Sequence, residues 1–154
     1  MSIDESRARR YARAPIFMRF IAHVIDLVIV VVPVFVGVVV FITLEMNDHQ
    51  VVGRSIALAI FLAVLYYTFA KDGRPGGQSF GKRAAKLMVV NVSTNQPCTA
   101  RESAIRSLLL LALGLVPVLG WFIEPIALLV DEHGRRLGDK AAGTQVIEVE
   151  QYTS

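Results

Sequence analysis

The feature that most constrains this chain is a nearly unbroken apolar run, residues 16–44, with an arginine, a histidine and an aspartate set into its beginning. Twenty apolar residues suffice to cross a bilayer as a helix. This run has 29 residues and would reach about 43 Å at the helical rise of 1.5 Å per residue, against a hydrocarbon core of about 30 Å. The helix must therefore tilt, bend at Pro33, or project from the membrane. A basic stretch, "RARRYARAP", precedes it, as in a signal peptide. The run is too long for that role, contains Asp26 and has no small-x-small exit, so it reads as a retained helix.

A second apolar stretch, "SIALAIFLAVLYYTFA" (residues 55–70), follows a polar turn at 45–54 and ends in Tyr66 and Tyr67, residues typical of a membrane interface. A polar loop, residues 71–101, contains a strand-like "KLMVVNV". A third apolar region, residues 104–130, is broken at "VPVLG", and the polar tail carries a second strand-like stretch, "TQVIEVE". The third region is either one span or a hairpin of two short helices. The hairpin is favoured because Arg135, Arg136 and Lys140 mark the tail as cytoplasmic and because the two strands can pair only on one side of the membrane. Arginines at 7, 9, 10 and 13 and the basic residues of the long loop place both on the cytoplasmic side too.

Hydrophobic residues make up 54% of the 154 and charged residues 19%, a balance for a membrane protein rather than a soluble domain. The net charge of +3 is accounted for by the positive-inside pattern, so no nucleic-acid partner is implied. A single cysteine, Cys98, excludes an internal disulfide. No His–Cys spacing fits a metal site, and no nucleophile–base pair or cofactor loop is evident, so neither enzyme nor cofactor is expected. "GGQSFGK" (residues 76–82) approaches a phosphate-binding loop, but Arg83 stands where Ser or Thr would hold magnesium, and no strand precedes it. It reads instead as a turn into a basic amphipathic segment, with Lys82, Arg83 and Lys86 meeting anionic headgroups while Phe80, Leu87 and Met88 dip into the membrane.

Arg19, His23 and Asp26 share one helix face. Arg19 is expected to snorkel to the surface. Asp26, ten residues into the run, is expected near the bilayer centre, where an ionised carboxylate costs roughly 2.5–3.5 kcal/mol. It must pair with a cation from another helix, serve as an ion or proton site, or contact a partner. Side chains lean toward a helix N-terminus, so Arg19 points away from Asp26, and His23 or a polar group of another helix is the expected contact. Glu124, before Pro125, and Arg106, at the start of the third region, are supporting candidates.

The segments "RFIAHVID", "GQSFGKRAAKLMVV", "RESAIR" and "RRLGDKAAGTQVI" together resemble the RDD family of bacterial membrane proteins, over about residues 16–149 and in the family's order. The resemblance implies that Arg19 and Asp26 are the family's arginine and first aspartate, and that Asp139 is the second, with Asp131 the less favoured match. Asp139 is expected to pair with Arg19 or Arg106. The third apolar region is shorter than four full spans require. The expected fold is an all-α integral membrane protein of three to four transmembrane or re-entrant helices with a small cytoplasmic β element. Its parts are a basic arm (1–14), an RDD-like membrane domain (15–149) and a short tail (150–154). The resemblance also implies the bacterial inner membrane and transport of a small monovalent cation coupled to protons, with Asp26 as carrier and Arg19 as its electrostatic partner. The alternative is a non-transporting subunit that stabilises or recruits another membrane protein. So few spans are few for a lone transporter, which points to a homo-oligomer or a larger complex.

Overall fold

The computed structural model describes residues 11–114, 129–131 and 134–153. Two long helices form its apolar body: α1 (Ile16–Met46) and α2 (Gln50–Ala70). Pro15 precedes α1, and the helix continues through Pro33 without a break. The turn between them is shorter than the polar composition of residues 45–54 indicates. Asp48 adopts a left-handed backbone (φ 60°), the Asn47 amide donates to the Thr43 carbonyl, and α2 starts at Gln50. Arg54 then reaches across to Glu45 at 3.0 Å. Small residues bring the helices close. Gly37 lies against Ile60, and Gly53 against Leu44 and Phe41. The outer faces of both helices are apolar and exposed, as lipid-facing surfaces are.

The remaining described elements gather at one end of this pair as a polar head. A 3-10 turn, Lys71–Gly73, leads to α3 (Phe80–Ala84), β1 (Leu87–Asn91) and α4 (Ala100–Gly114). After Asp131 come α5 (Leu137–Ala141), β2 (Thr144–Glu148) and α6 (Val149–Thr153). The two strand-like stretches do pair, antiparallel, with Leu87 opposite Glu148 and Asn91 opposite Thr144. Leu87, Val89 and Val146 pack on Ala14 and Ala22 of the first helix region. Met88, Val90 and Ile147 pack on Tyr11 from the other face. Leu87 and Met88 are therefore core residues of the head and do not enter the membrane.

Two helices among the described residues are long and apolar enough to span a bilayer, α1 and α2. The expected count of three to four rests on the third apolar region, whose break at residues 116–120 and whose Glu124 lie outside the described residues. The chain that leaves the head along α4 is back at the head by Asp131, where Lys140 binds that carboxylate at 2.9 Å.

Candidate functional site

The head sheathes one face of the first turns of α1, and this changes the surroundings of its charged residues. Arg19, Ala22 and Asp26, spaced by three and four, are buried against it, while Phe17, Phe20 and Val24 on the other faces stay exposed. Twenty residues of α1 follow Asp26, about 30 Å of helix, enough to cross the hydrocarbon core by themselves. Asp26 thus sits under the head, with enough helix beyond it to span the hydrocarbon core, so a place near the bilayer centre is not required of it.

Asp26 is held by three donors, none of them a cation. The Tyr67 hydroxyl of α2 donates to Oδ1 at 2.9 Å, the Gly81 backbone N–H to the same oxygen at 2.8 Å, and the Ser79 hydroxyl to Oδ2 at 2.6 Å. The "GGQSFGK" turn explains two of these contacts. Gly76 and Gly77 take positive φ, which lets the chain turn sharply into α3. Ser79 caps α3 by accepting from the Lys82 N–H and donates onward to Asp26. Gly81 touches the Ala22 backbone so closely that a Cβ would stand 1.9 Å from the Ala22 oxygen. A turn that resembles a phosphate cradle in sequence therefore holds an anion of its own chain. Phe80 stacks on Tyr67, and the Arg74 guanidinium lies 4.3 Å from the Phe80 ring centroid, which steadies the Tyr67 hydroxyl.

Arg19 does not snorkel. It is buried, 4% exposed, and donates to the backbone carbonyls of Gly134 and Val146, the latter at 2.9 Å. Among the described residues no ion pair joins Arg19 to Asp26, so the arginine clamps the returning tail onto α1 instead of balancing the aspartate. His23 is not among the donors to Asp26 and lines the cavity beside it.

A second polar cluster lies next to the first. Arg106 binds Asp139 at 2.7 Å and Asp72 at 3.6 Å. Lys82 forms a close ion pair with the other oxygen of Asp72. The second oxygen of Asp139 accepts from the Arg136 N–H at 3.1 Å, capping α5. Of the two partners expected for Asp139, the structure selects Arg106. Asp139 is 1% exposed, whereas Asp131 pairs nearer the surface with Lys140 and Arg135. Lys82 corrects another expectation, since it turns inward onto Asp72 and away from headgroups. Burial pulls its ammonium down to about 8 despite the carboxylate beside it. Arg83 and Lys86 remain exposed. Two serines one turn apart on α4 bind the open end of α2, Ser103 to the Phe69 carbonyl and Ser107 to the Thr68 carbonyl, each at 2.7 Å.

The two clusters border one cavity of about 240 Å³, to which Arg19, His23, Asp26, Asp72, Lys82 and Arg106 all contribute. No group of His, Cys, Asp and Glu suited to a metal ion occurs among the described residues. Tyr67, Ser79, Gly81 and Asp72 belong to this site, and sequence reasoning missed them. Their signals in the sequence were an aspartate two residues after the second span and a serine three residues before a basic pair.

The sequence model of the RDD family matches residues 13–143, which cover both long helices, both polar clusters and β1, and end just before β2. The chain belongs to the RDD family. This is a family of membrane proteins, in agreement with the two apolar helices. No curated protein and no solved structure matches the chain. In this RDD protein Arg19, Asp26 and Asp139 each fasten a different segment of the head. Arg19 holds the tail, Asp26 holds the turn before α3, and Asp139 holds α4 through Arg106.

Proposed function

We propose that this RDD protein is a non-transporting membrane subunit that stabilises or recruits a partner membrane protein through the lipid-facing sides of α1 and α2. One observation carries the reading. Every oxygen of Asp26, Asp72 and Asp139 already has a protein donor or cation, so each carboxylate ties separate segments of the fold together. Such a cluster fixes geometry, and breaking it leaves buried charge without a partner. The head and the amino-terminal arm face the cytoplasm of a bacterial inner membrane in this reading, supported by their basic residues. A homo-oligomer or a larger complex would cover the apolar faces, and exposed Arg83 and Lys86 would meet anionic headgroups.

A second reading, movement of a small monovalent cation against protons with Asp26 as carrier, is favoured by the charged cavity that Asp26 and His23 border. Proteoliposome flux separates the two. The expected result is no cation-dependent proton flux above empty vesicles, with Asp26→Asn lowering thermal stability. Cation-dependent flux that Asp26→Asn abolishes while the melting temperature is kept would establish the carrier and overturn the subunit reading.

A further inference from the structure

The cavity between the two clusters is unbalanced in charge. Arg19, Lys71, Lys82, Arg106 and Arg136 line it. Against them, among the described residues, stand Asp26 and Asp72, with Asp139 behind Arg106. Lys82 and Arg106 are used by those carboxylates. Arg19, Lys71 and Arg136 take part in none of the ion pairs among the described residues. Asp26 makes no ion pair with them, its oxygens being bound by hydroxyls and an amide. Gathering several like charges around one cavity with fewer counter-charges is unfavourable and favours an anion among them.

A second, independent observation points the same way. A guanidinium nitrogen at this cavity, Nε of Arg19, is enclosed and has no hydrogen-bond partner. The Arg19 side chain is more than nine-tenths buried. A buried donor without an acceptor costs about 1–3 kcal/mol, more when it is charged. Guanidinium groups match the oxygens of a phosphoryl group in spacing and plane. At about 240 Å³ the cavity is below the range of drug-sized ligand sites and suits a small anionic group.

We propose that this cavity binds a phosphoryl group, with Arg19, Lys71 and Arg136 as its cationic partners. The group can come from an anionic phospholipid, since the cavity lies where the head meets the apolar helices, or from free phosphate. The inference goes beyond the subunit reading and holds or fails independently of ion flux.

The test uses the full chain purified in non-ionic detergent. Its melting temperature is followed against inorganic phosphate at matched ionic strength, and separately against mixed micelles of phosphatidylglycerol with phosphatidylcholine as control. Saturable stabilisation by phosphatidylglycerol alone identifies a lipid headgroup, and by phosphate alone a free anion. Stabilisation by both identifies a site open to either. In each case Lys71→Gln and Arg136→Gln, at half-buried positions, should weaken the half-saturation point about tenfold, as loss of one charge-assisted bond does. Phosphorus NMR of wild-type protein gives a readout independent of the variants, through an exchange-broadened or shifted bound signal. No saturable stabilisation and no bound signal would overturn the proposal, and so would a response unchanged in both variants.

Discussion

Replacing Gly81 by alanine probes the contact on which the head's seating depends. A Cβ at Gly81 would stand 1.9 Å from the Ala22 carbonyl oxygen, 2.8 Å from the Ala22 carbonyl carbon and 2.9 Å from Asp26 Oδ1. Two of these atoms are backbone inside a long helix, so the strain cannot be relieved by a rotamer change, and α3 must lift from α1. Overpacking of this kind costs about 1–3 kcal/mol. Lifting also stretches the Gly81 N–H bond to Asp26, now 2.8 Å, and a hydrogen bond to a charged group contributes about 1.5–3 kcal/mol. The sum is about 2.5–6 kcal/mol, or roughly 5–20 °C in melting temperature for a chain of this size. Gly37→Ala is the control. Its Cβ would meet Ile60 Cδ1 at 2.7 Å, the mobile end of a side chain that can rotate away, so about 1 kcal/mol is expected. Unfolding in mixed micelles would measure both. The hydrogen-bond share is isolated by repeating Gly81→Ala on an Asp26→Ala background, where a coupling of about 1.5–3 kcal/mol should appear. If Gly81→Ala is as mild as Gly37→Ala, or if the coupling is absent, the close seating of α3 on α1 is refuted.

Two further predictions concern the head. Burial pushes the Cys98 thiol up to about 11, so it stays protonated in the folded chain while an unfolded thiol ionises from about 9. Its contribution to stability is full below pH 9 and is lost as pH rises through 11, so the stability gap between wild type and Cys98→Ala should shift against wild type across that window in pH-dependent melting. In a Cys98→Ser background, cysteines placed at the exposed positions Ser93 and Glu150 should be shielded from an impermeant thiol reagent in intact cells, and one at Asp48 should react; labelling of Glu150→Cys from outside would contradict a cytoplasmic head.

The two long helices were legible because apolar runs of this length admit few other structures, and the strands because β-branched runs flanked by turn residues do the same. The early start of α2 was not, because Gln50 and Arg54 are polar, yet they sit at an exposed helix end where polar residues are harmless. Arg19, Asp26 and Asp139 were legible as a set through the resemblance to the RDD family, with Asp131 as the competing match for Asp139. Their partners required the tertiary structure. Lys82 belongs by sequence to a basic stretch, and only the fold brings Asp72 against it. The surroundings of Asp26 were not legible for a related reason. A linear count from the start of an apolar run takes no account of a head built from residues far along the chain that covers the first turns of the helix.

That covering has a consequence for the order in which the protein forms. The acceptors for Arg19 are the carbonyls of Gly134 and Val146, 115 and 127 residues away, and the Gln145 side chain binds the Tyr11 carbonyl across 134. During synthesis α1 and α2 enter the membrane long before those acceptors exist. Until then the guanidinium of Arg19 lacks both of these acceptors and needs water in their place. Closure over so long a span is slow in proportion to the entropy of the intervening chain. The contacts that bury Arg19 are thus complete only once β2 has been made. A nascent chain stalled before it would present an unmatched cation at the membrane surface, a mark by which unfinished molecules differ from finished ones.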